Sequence, residues 1–565
     1  MKANQPRQFL VRDVRLPYTA AEQDVLERAK QVFCRAVKGG EVQITEAALY
    51  KTSVDARKKP DVKTVSTVLL HVNCTERQEK TVLSREPRIT PFDPGSFSTE
   101  HGDEPLEGRP VIVGFGPAGM FCALCLCENG FVGDRAPIIV ERGDDVEARA
   151  AALRRFYLTK QLDPSSNIQF GAGGAGTFSD GKLVTRVGDP KCGWILRRFV
   201  EFGAPEEILV RAKPHVGTDI LLRVVANIRE HLRAHGCEFR FRCTVRDLRL
   251  TMRAGGRHVT SVLTDDGEIP CGLLVLAPGH SARDTYRMLL DHGLDVQPKP
   301  FSVGVRIEHL QSDLNVAAYG DAARDTLACG AVGKAVLLPP AEYTVSHRPK
   351  PTADDPDPRG VYSFCMCPGG EVMAAASEEG GVVVNGMSRS ARDGRNANAA
   401  LAVSVRTSDY GADPMAAIAY QRTLERAAFG VGGGDYRAPC QTVGDFLNGT
   451  SGAEPSRVLP TYMDGHVCMT DLHQILPGFV TSLLADGLRR FERQYPGFSA
   501  PHALLTGVET RTSAPVRIVR GETFLAYGTE NLYPIGEGAG YAGGITSAAL
   551  DGLNAALCIL ARWRT

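Results

Sequence analysis

The sequence predicts an α/β protein of several domains, and three observations support this prediction. The chain has 565 residues, more than one typical core holds, so roughly two to four domains are expected. Short apolar strands and helical segments follow one another along the chain, as in α/β folds. The 59 glycines are concentrated in a few clusters close to such strands.

The composition is that of an ordinary globular protein, and it excludes some functions. Lys and Arg number 65, as do Asp and Glu, so the net charge is zero. This balance argues against a chain built as a whole around nucleic acid or an acidic membrane surface. We find no apolar signal segment and no run of about 18 apolar residues, so no membrane span is expected. Fifteen cysteines favour reduced thiols and a cytoplasmic location, and the oligomeric state is left open.

Residues 1–90 predict a small N-terminal α+β domain. "QFLVRDVRL", "EVQITEAALY" and "KTVSTVLLHV" have the composition of strands, and a helical pattern lies between the first two. The domain has 17 Lys and Arg against 11 Asp and Glu, and its loop "KTSVDARKKPD" carries Arg57, Lys58 and Lys59. A solvated loop is the favoured interpretation, and a polyanion site is the alternative. Residues 91–108, rich in Pro, Gly, Ser and acidic residues, predict a linker.

The segment "RPVIVGFGPAGMFCALCLCENG" after the linker predicts a Rossmann-type dinucleotide-binding unit. A short buried strand is followed by Gly114, Gly116 and Gly119, which fit G-x-G-x-x-G. The first glycine permits the tight turn, the second lets a pyrophosphate approach the backbone, and the third lets helix and strand pack closely. Pro117 suits the first helical turn. Glu141, 22 residues beyond Gly119, ends the next strand and is placed to bind a ribose hydroxyl.

Three later segments contain signals that belong with the same site. "NIQFGAGGAGTFSDGKL", residues 167–183, is a second glycine cluster, which we expect as an extended loop against a bound cofactor. "GLLVLAPGHSARDT" is an apolar strand that ends at residues 277–279, preceded by a predicted β-meander. "NLYPIGEGAGYAGGITSAALDG" has five glycines from Gly536 to Gly544 and opens a helix near Ile545. The N-terminus of this helix would stabilise negative charge on a bound cofactor.

The last of these segments is similar to the returning strand and helix of flavoproteins built like glutathione reductase. Together with "VGFGPAG", "GGAGTFSDGKL", "KPHVGTD", "LAPGHSARDT", "GVRIEH", "YSFCMCPGG" and "VNGMS", it resembles the poorly characterised family of FAD-dependent dehydrogenases over nearly the whole chain. The resemblance implies one FAD and a discontinuous, glutathione-reductase-like FAD-binding domain, residues 109–295 and 507–565. It also implies an inserted α+β substrate domain, residues 296–506. One departure from the family pattern is Ala172, where an acid is expected.

The residues expected to contact FAD come from the fingerprint, the strand end at Glu141, the 167–183 loop and the two later strand ends. They are Gly114, Gly116, Pro117, Ala118, Gly119, Glu141, Arg142, Gly173, Gly174, Thr177, Asp180, Gly181, Lys182, Ala277, Gly279, Gly536, Glu537, Gly538, Ala539, Gly543, Gly544 and Ile545. No metal site is predicted. No second strand–G-x-G-x-x-G–helix unit is visible, so NAD(P)H, if it is the donor, would bind transiently over the flavin.

Candidate side chains for the chemistry lie near strand ends of both predicted domains. A cation near the flavin N1–C2=O edge would stabilise the anionic reduced ring. Strand alternation predicts that Cys365 and Cys367 share one face, where small packing residues are the favoured interpretation. A redox role would need a partner thiol, because a bridge between residues i and i+2 is strained. The candidates are His280, Arg306, Glu308, Cys365, Cys367 and Lys182, with Asn385, Ser388, Arg511 and Ser513 as further polar wall groups.

The expected activity is that of an FAD-dependent oxidoreductase, dehydrogenase or reductase. A hydride would pass between flavin N5 and an unidentified small-molecule substrate. A flavin-dependent monooxygenase, in which reduced flavin activates oxygen, is an alternative. A tRNA-linked flavoprotein that holds RNA with the basic N-terminal loop is another, and a protein with a purely structural FAD is a third.

Overall fold

The computed structural model describes residues 6–37, 41–95, 97–185, 187–326, 338–353 and 355–565. In these residues the strands form an antiparallel four-stranded sheet, a parallel five-stranded sheet and a mostly antiparallel seven-stranded sheet, with smaller sheets between them. Helices pack against each of the three larger sheets. The predicted mixed α/β class is confirmed.

The four-stranded sheet contains the N-terminal residues. Its elements are β1 (Arg7–Pro17), α1 (Glu22–Ala36), β2 (Gln43–Asp55), β3 (Lys63–Asn73), α2 (Glu76–Arg85) and β4 (Ile89–Pro91). The strands pair in the order β2-β3-β1-β4, all antiparallel. Alternate side chains of β3 are buried, as expected for a sheet with one covered face. They form a core with the apolar face of α1.

The chain then builds most of the parallel sheet and a separate meander. The elements are β5 (Pro110–Val113), α3 (Pro117–Glu128), β6 (Ile138–Val140), α4 (Val146–Thr159), α5 (Lys191–Glu201), α6 (Thr218–Ala234), β7 (Glu238–Arg240), β8 (Val245–Arg253), β9 (Gly256–Thr264), β10 (Gly267–Pro270), β11 (Leu273–Leu276) and α7 (Arg283–Asp291). β8, β9 and β10 pair in sequence and antiparallel, so the predicted β-meander is confirmed.

The seven-stranded sheet lies in the next part of the chain. The elements are β12 (Val296–Pro298), β13 (Phe301–Leu310), α8 (Gln311–Tyr319), β14 (Ser346–His347), β15 (Val361–Cys367), β16 (Gly370–Ala374), β17 (Val384–Ser388), β18 (Asn396–Val405), α9 (Thr407–Tyr410), α10 (Pro414–Val431), β19 (Ala438–Thr442), α11 (Val443–Asn448), β20 (Val467–Met469), α12 (Gly478–Gln494), β21 (Leu504–Glu509) and β22 (Val516–Ile518). The strand order is β14-β15-β18-β13-β21-β19-β20. β13 and β18, its central strands, are almost completely buried.

Two short strands, β12 and β22, connect the parallel sheet with the seven-stranded sheet. β12 comes before the seven-stranded sheet and β22 after it, and the two pair with each other. β21 pairs with β19 over residues 504–506 and with β13 as far as Glu509. A boundary between residues 506 and 507 therefore falls inside a strand, and the seven-stranded sheet extends to Glu509.

The last two elements return to the parallel sheet. They are β23 (Leu532–Pro534) and α13 (Ile545–Leu560). β23 pairs parallel with β11, and the complete order is β23-β11-β5-β6-β7. Side chains of each strand alternate between two cores. Ile112 and Val275 face the core with α3, α6 and α13, whereas Val111 and Leu274 face the core with the meander and α7.

Candidate functional site

A cavity of about 340 Å³ lies at the carboxyl ends of the parallel strands. Residues that directly follow β5, β6, β11 and β23 form one side of it. The other side comes from β15 and β21 of the seven-stranded sheet, through Phe364, Cys365 and Glu509, and from β17 of the small β16–β17 sheet, through Asn385. Ligands of open α/β sheets bind outside the carboxyl ends of the strands, so this cavity is the candidate site.

The cavity brings together residues from all the predicted segments. Those that line it are Gly114, Gly116, Pro117, Ala118, Glu141, Arg142, Gly174, Asp180, Lys182, Ala277, Gly279, His280, Cys365, Gly536, Glu537, Gly543, Gly544 and Ile545. Asn385 and Arg511, predicted as wall groups, also line it. Outside the lining are Gly119, Gly173, Thr177, Gly181, Gly538, Ala539, Arg306, Glu308, Cys367, Ser388 and Ser513.

The three fingerprint glycines meet three different constraints. Gly114 has a φ of 100°, in the left-handed region that favours glycine. A Cβ on Gly114 would lie closer than 3.0 Å to the carbonyl oxygen of Ala277, and one on Gly119 would lie as close to that of Gly114. A Cβ on Gly116 would have its nearest neighbour at 3.7 Å, the Cα of Gly174. Gly116 is therefore free of protein crowding and leaves room for a ligand.

Two helices begin at the cavity without a side-chain cap. α3 has Gly116 as its N-cap residue, and α13 has Gly544. The amides at a helix N-terminus have no intrahelical partner and favour negative charge. Glu537 also lines the cavity, and burial raises its pKa to about 7 against the opposing effect of Lys299. The cavity therefore offers two uncapped helix termini to an anionic ligand.

Glu141 organises the loops around the cavity. Its Oε2 accepts a hydrogen bond from the Phe115 amide at 2.9 Å. Its Oε1 accepts from the amides of Gly143 at 2.9 Å and Gly171 at 3.0 Å. Three backbone segments thus converge on one buried carboxylate. Each carboxylate oxygen has more than one acceptor position, so a ribose hydroxyl could still donate to Glu141.

Arg149, in α4, was not predicted to belong to the site. It is completely buried and donates to the carbonyl oxygens of five residues, Asn167, Ile168, Gly171, Ala172 and Gly174. Burial lowers its pKa to about 10, so the guanidinium stays charged at neutral pH. Its hydrogen bonds hold the backbone of residues 167–174 in place from the interior of the protein. Ala172 is buried in this loop. An acidic side chain at this position would therefore have no contact with solvent.

Asp180 and Lys182 connect this loop to the seven-stranded sheet. The Asp180 carboxylate is buried and accepts from Nε of Arg392 at 2.9 Å. The Lys182 ammonium lies 3.8 Å from Asp180 and donates to the carbonyl oxygen of Met366. Both predicted residues therefore line the cavity while already engaged with protein groups.

Arg306 lies behind the cavity wall rather than in it. Its guanidinium donates to Glu509 at 2.9 Å, to Asn385 and Asn398 at 2.9 Å, and to the carbonyl oxygen of Cys365 at 2.9 Å. Burial raises the pKa of Glu509 although Arg306 opposes the shift. Arg306 therefore holds three lining residues in place.

Glu308 does not pair with Arg306, although the two lie on the same face of β13. Its Oε1 accepts from the Thr461 hydroxyl at 2.6 Å and from Asn396 at 3.1 Å. Burial raises its pKa. The two side chains form no ion pair, because the carboxylate of Glu509 on the neighbouring strand pairs with Arg306.

β15 has a bulge at the two cysteines. Phe364 pairs with Ala400 and Cys367 with Asn398, so two residues of β15 face a single residue of β18. Cys365 adopts a φ of 46°. The regular alternation assumed from the sequence is therefore wrong here. Cys365 lines the cavity, and Cys367 is buried behind it.

A buried ion cluster lies at the edge of the cavity. Glu425 of α10 accepts from Arg283 at 2.8 Å and from Arg511 at 3.0 Å. His280 lies near both arginines. Burial lowers its pKa to about 3, and Arg511 and Arg283 add to the effect. His280 is therefore neutral at pH 7.

The basic N-terminal loop is partly engaged with the protein itself. Arg57 forms a bidentate pair with Asp55, with Nε at 2.8 Å and Nη2 at 2.6 Å. Lys59 donates to the carbonyl oxygen of Ala317 in α8. An RNA-binding role for this loop stays a prediction.

Sequence comparison decides the family. A family model described as "FAD-dependent protein, C-terminal domain-like" matches residues 300–512. An uncharacterized protein of Clostridium beijerinckii is 41% identical over 544 residues, which cover 96% of this chain and 97% of that protein. The chain belongs to this family of FAD-dependent proteins. FAD is its cofactor, and the predicted FAD-dependent oxidoreductase is confirmed.

Structural comparison finds more distant likeness between this FAD-dependent protein and flavoenzymes. CtdE, solved with FAD and a substrate, is 12% identical with a TM-score of 0.33 and 80% of each chain covered. Glycine oxidase from Bacillus cereus is 10% identical with a TM-score of 0.30, covering 80% of this chain and 94% of the other. Likeness at this level bears on neither the substrate nor the reaction of the FAD-dependent protein.

Two further features of the FAD-dependent protein concern membranes and metals. Among the described helices, none combines the length and apolar character that a membrane crossing requires. Across the described residues, no group of three or more His, Cys, Asp or Glu side chains is arranged to hold a metal ion.

Proposed function

We propose that the protein transfers a hydride between flavin N5 of FAD and a small molecule bound in the same cavity. The observation that carries this proposal is the composition of the cavity. Its lining combines the glycine segments after β5 and β23 with side chains of the seven-stranded sheet. A cofactor held by the first group would present itself to a substrate held by the second.

We further propose that FAD occupies the parallel-sheet side, which would form one discontinuous, glutathione-reductase-like domain. The pyrophosphate would bind at the N-terminus of α3, beside Gly114 and Gly116. The ribose would lie near Glu141. Gly536, Glu537 and the N-terminus of α13 would contact the ribityl chain and flavin ring. Reduced flavin carries negative charge, which the start of α13 would stabilise.

The substrate would bind against the seven-stranded sheet. Phe364, Cys365, Asn385, Arg511 and Thr512 line this side of the cavity. Phe364 is 37% exposed and provides an apolar surface. Ligand sites combine such surfaces with a few polar groups that fix orientation. The mixture supports a small organic substrate with at least one hydrogen-bonding group.

Anaerobic titration of the purified protein tests this function. The flavin spectrum is followed while NADH, NADPH and a panel of small metabolites are added separately. We expect at least one compound to bleach the oxidised flavin spectrum stoichiometrically. A reaction that instead incorporates one atom of O₂ into a product would replace this proposal with monooxygenation.

A matched pair of variants distinguishes a loss of FAD binding from a loss of folding. Gly116→Val fills the room beside Gly174 without a left-handed φ, so we expect a folded protein that purifies without FAD. Gly430→Val changes an exposed helical glycine with open space around it, so FAD should be retained. Normal FAD content in Gly116→Val would contradict the proposed pyrophosphate position.

A further inference from the structure

The ion cluster beside the cavity carries one excess positive charge. It consists of three arginines and two carboxylates, Arg283, Arg422, Arg511, Glu378 and Glu425. Burial alone would raise the pKa of both carboxyls, but the arginines outweigh it and lower the pKa to about 2. Among the described residues, no other carboxylate pairs with these arginines. Of the three, Arg511 lines the cavity, so the unbalanced charge borders the space open to a ligand.

Arg511 has hydrogen-bond donors that the protein leaves unused. A guanidinium has five N–H groups. Nε and Nη2 of Arg511 donate to Glu425 at 3.1 and 3.0 Å, and Nη1 donates to the Ser377 hydroxyl. One N–H on each terminal nitrogen has no partner in the part of the chain that the structure describes. Arg511 is only 6% exposed, and buried donors without a partner are costly, so an acceptor on a ligand in the cavity would complete the set.

A chain of hydrogen bonds fixes the tautomer of His280. Gln169 Nε2 donates to the Ala375 carbonyl oxygen at 3.1 Å, which identifies Oε1 as the acceptor end of the Gln169 amide. The Ser281 hydroxyl donates to this Oε1 at 3.3 Å. The Ser281 oxygen lies 3.0 Å from Nδ1 of His280 and is left to accept. Nδ1 of His280 therefore carries the ring proton.

The second ring nitrogen of His280 is consequently an acceptor. Nε2 has no partner within the described residues, and His280 lines the cavity close to Arg511. Burial, together with Arg511 and Arg283, lowers the pKa of His280 to about 3, so the ring is neutral and cannot donate from Nε2 at neutral pH. The cavity thus presents a cation with free N–H groups beside a neutral acceptor.

Two other carboxylates that line the cavity have cations of their own. Glu509 is paired with Arg306, and Asp180 is paired with Arg392. Their charges are balanced locally, so the charge of Arg511 remains for an anion.

We propose that Arg511 and His280 select a small hydroxy acid as the substrate. The carboxylate accepts from the free N–H groups of Arg511, and the hydroxyl donates to Nε2 of His280. An amino acid fits less well, because its ammonium group would add positive charge beside Arg511 and Arg283. This inference rests on the proposed substrate side of the cavity and names the class of molecule that binds there.

Four kinds of three-carbon probe test the two contacts on the FAD-loaded protein. They are lactate (each enantiomer), propionate, lactamide and alanine, and their binding is measured anaerobically by ligand-observed NMR titration. We expect one lactate enantiomer to bind at least about fivefold more tightly than propionate, which lacks the hydroxyl, and lactamide, which lacks the carboxylate. Alanine should also bind more weakly than lactate. Equal affinity for lactate and any of the other three, or no binding of lactate, would overturn the proposal.

A substitution at His280 tests its contact separately. His280→Phe keeps a flat ring and removes the acceptor, so it should retain FAD, bind propionate as before and lose the preference for lactate. His101→Phe changes an exposed histidine elsewhere and should keep the preference. The role of Arg511 is tested by lactamide, because substitution of Arg511 would also break the ion cluster. A preference for lactate that persists in His280→Phe would overturn the role of His280.

NMR of the unchanged, FAD-loaded protein tests the tautomer without any substrate. The protein is labelled with ¹⁵N-histidine, and the His280 signals are those absent from His280→Phe or His280→Gln. We expect the Nδ1–H tautomer and no titration between about pH 8 and 5. An Nε2–H tautomer, or protonation of His280 in this range, would overturn the proposal. Neither result depends on whether hydride transfer occurs.

Discussion

At the scale of single residues, two buried charged side chains organise the glycine loops. Glu141 gathers three backbone amides, and Arg149 gathers five carbonyl oxygens. Loops contain many backbone groups without regular partners, and a buried one left unpaired is costly. The glycine loops are therefore held by two buried side chains of opposite charge: the carboxylate accepts from backbone N–H groups, and the guanidinium donates to backbone carbonyl oxygens.

Arg149→Lys tests this role of the arginine. A lysine ammonium has three donors on one nitrogen and cannot reach all five carbonyl oxygens. We expect the free energy of unfolding to fall by about 2–4 kcal/mol and FAD to bind at least tenfold more weakly. Urea unfolding and equilibrium FAD titration measure the two effects.

Arg154→Lys is the control for that substitution, because Arg154 lies exposed on the same helix. Its effect on unfolding should stay within about 0.5 kcal/mol. Equal effects of the two substitutions would show that Arg149 does not hold the loop.

At the scale of elements, α3 and α13 pack with almost no separation. Gly552, two turns into α13, lies against the backbone of Ala118 in the first turn of α3. A residue of the last helix thus fixes the position of α3. The glycine is required by the partner helix and not by its own backbone conformation.

Gly552→Ala tests this contact. Alanine is favoured over glycine in a helix by about 1 kcal/mol, but its Cβ would lie closer than 3.0 Å to the Ala118 carbonyl oxygen. We expect a net loss of stability of about 1–3 kcal/mol together with weaker FAD binding. Gly430→Ala, at an exposed helical position where a Cβ would meet no other atom, should instead stabilise the protein. Thermal unfolding of both variants decides the sign.

The sequence predicted those parts of the site that depend on local glycine patterns. The turn at Gly114 and the helix after Gly544 follow from short motifs with fixed geometry. Arg149 could not be selected, because periodicity does not reveal which of three arginines in α4 faces inward. The bulge at Cys365 was missed because strand alternation assumes a regular pleat. Arg306 pairs with Glu509, about 200 positions away in the sequence. Local sequence patterns cannot predict a contact between residues this far apart.

At the scale of the whole molecule, an ion cluster joins the parts of the chain on either side of the cavity. Glu425 of α10 contacts Arg283 at the start of α7 and Arg511 after β21. Burial alone would raise the pKa of Glu425, but Arg511 and Arg283 outweigh it and lower the pKa to about 2. The stability of the packing between the parallel sheet and the seven-stranded sheet therefore depends on the charge of Glu425, and so on pH.

Acid unfolding tests this coupling. Because the folded pKa is lower than the ordinary value of 4.5, Glu425 contributes stability above pH 4.5 and loses it as the pH falls towards 2. Glu425→Gln should lower stability at pH 7 by about 3–5 kcal/mol, since it leaves two buried arginines without a carboxylate. It should also flatten the decline between pH 4.5 and 2. The exposed neighbour substitution Glu379→Gln should leave the profile unchanged.

FAD should also act on the molecule as a whole. The cavity is lined by both larger sheets, so a bound cofactor would stabilise them together. At a hundredfold excess over the Kd, FAD should add about 2.7 kcal/mol to the free energy of unfolding. Calorimetry of the FAD-free protein with and without added FAD measures the shift. A shift confined to one of two separate transitions would contradict a shared site.

The late return of β23 and α13 has a consequence for synthesis. Chains leave the ribosome from the N-terminus, and early segments can fold before later ones exist. The fingerprint at Gly114 emerges first, yet the wall formed by Gly536 to Ile545 follows some 420 residues later. The nascent chain must therefore leave the open face of α3 uncovered throughout this interval, and the apolar edge of β11 uncovered from its own synthesis until β23 follows. If FAD binds in the cavity as proposed, it is captured among the last steps of maturation, when β23 and α13 cover both.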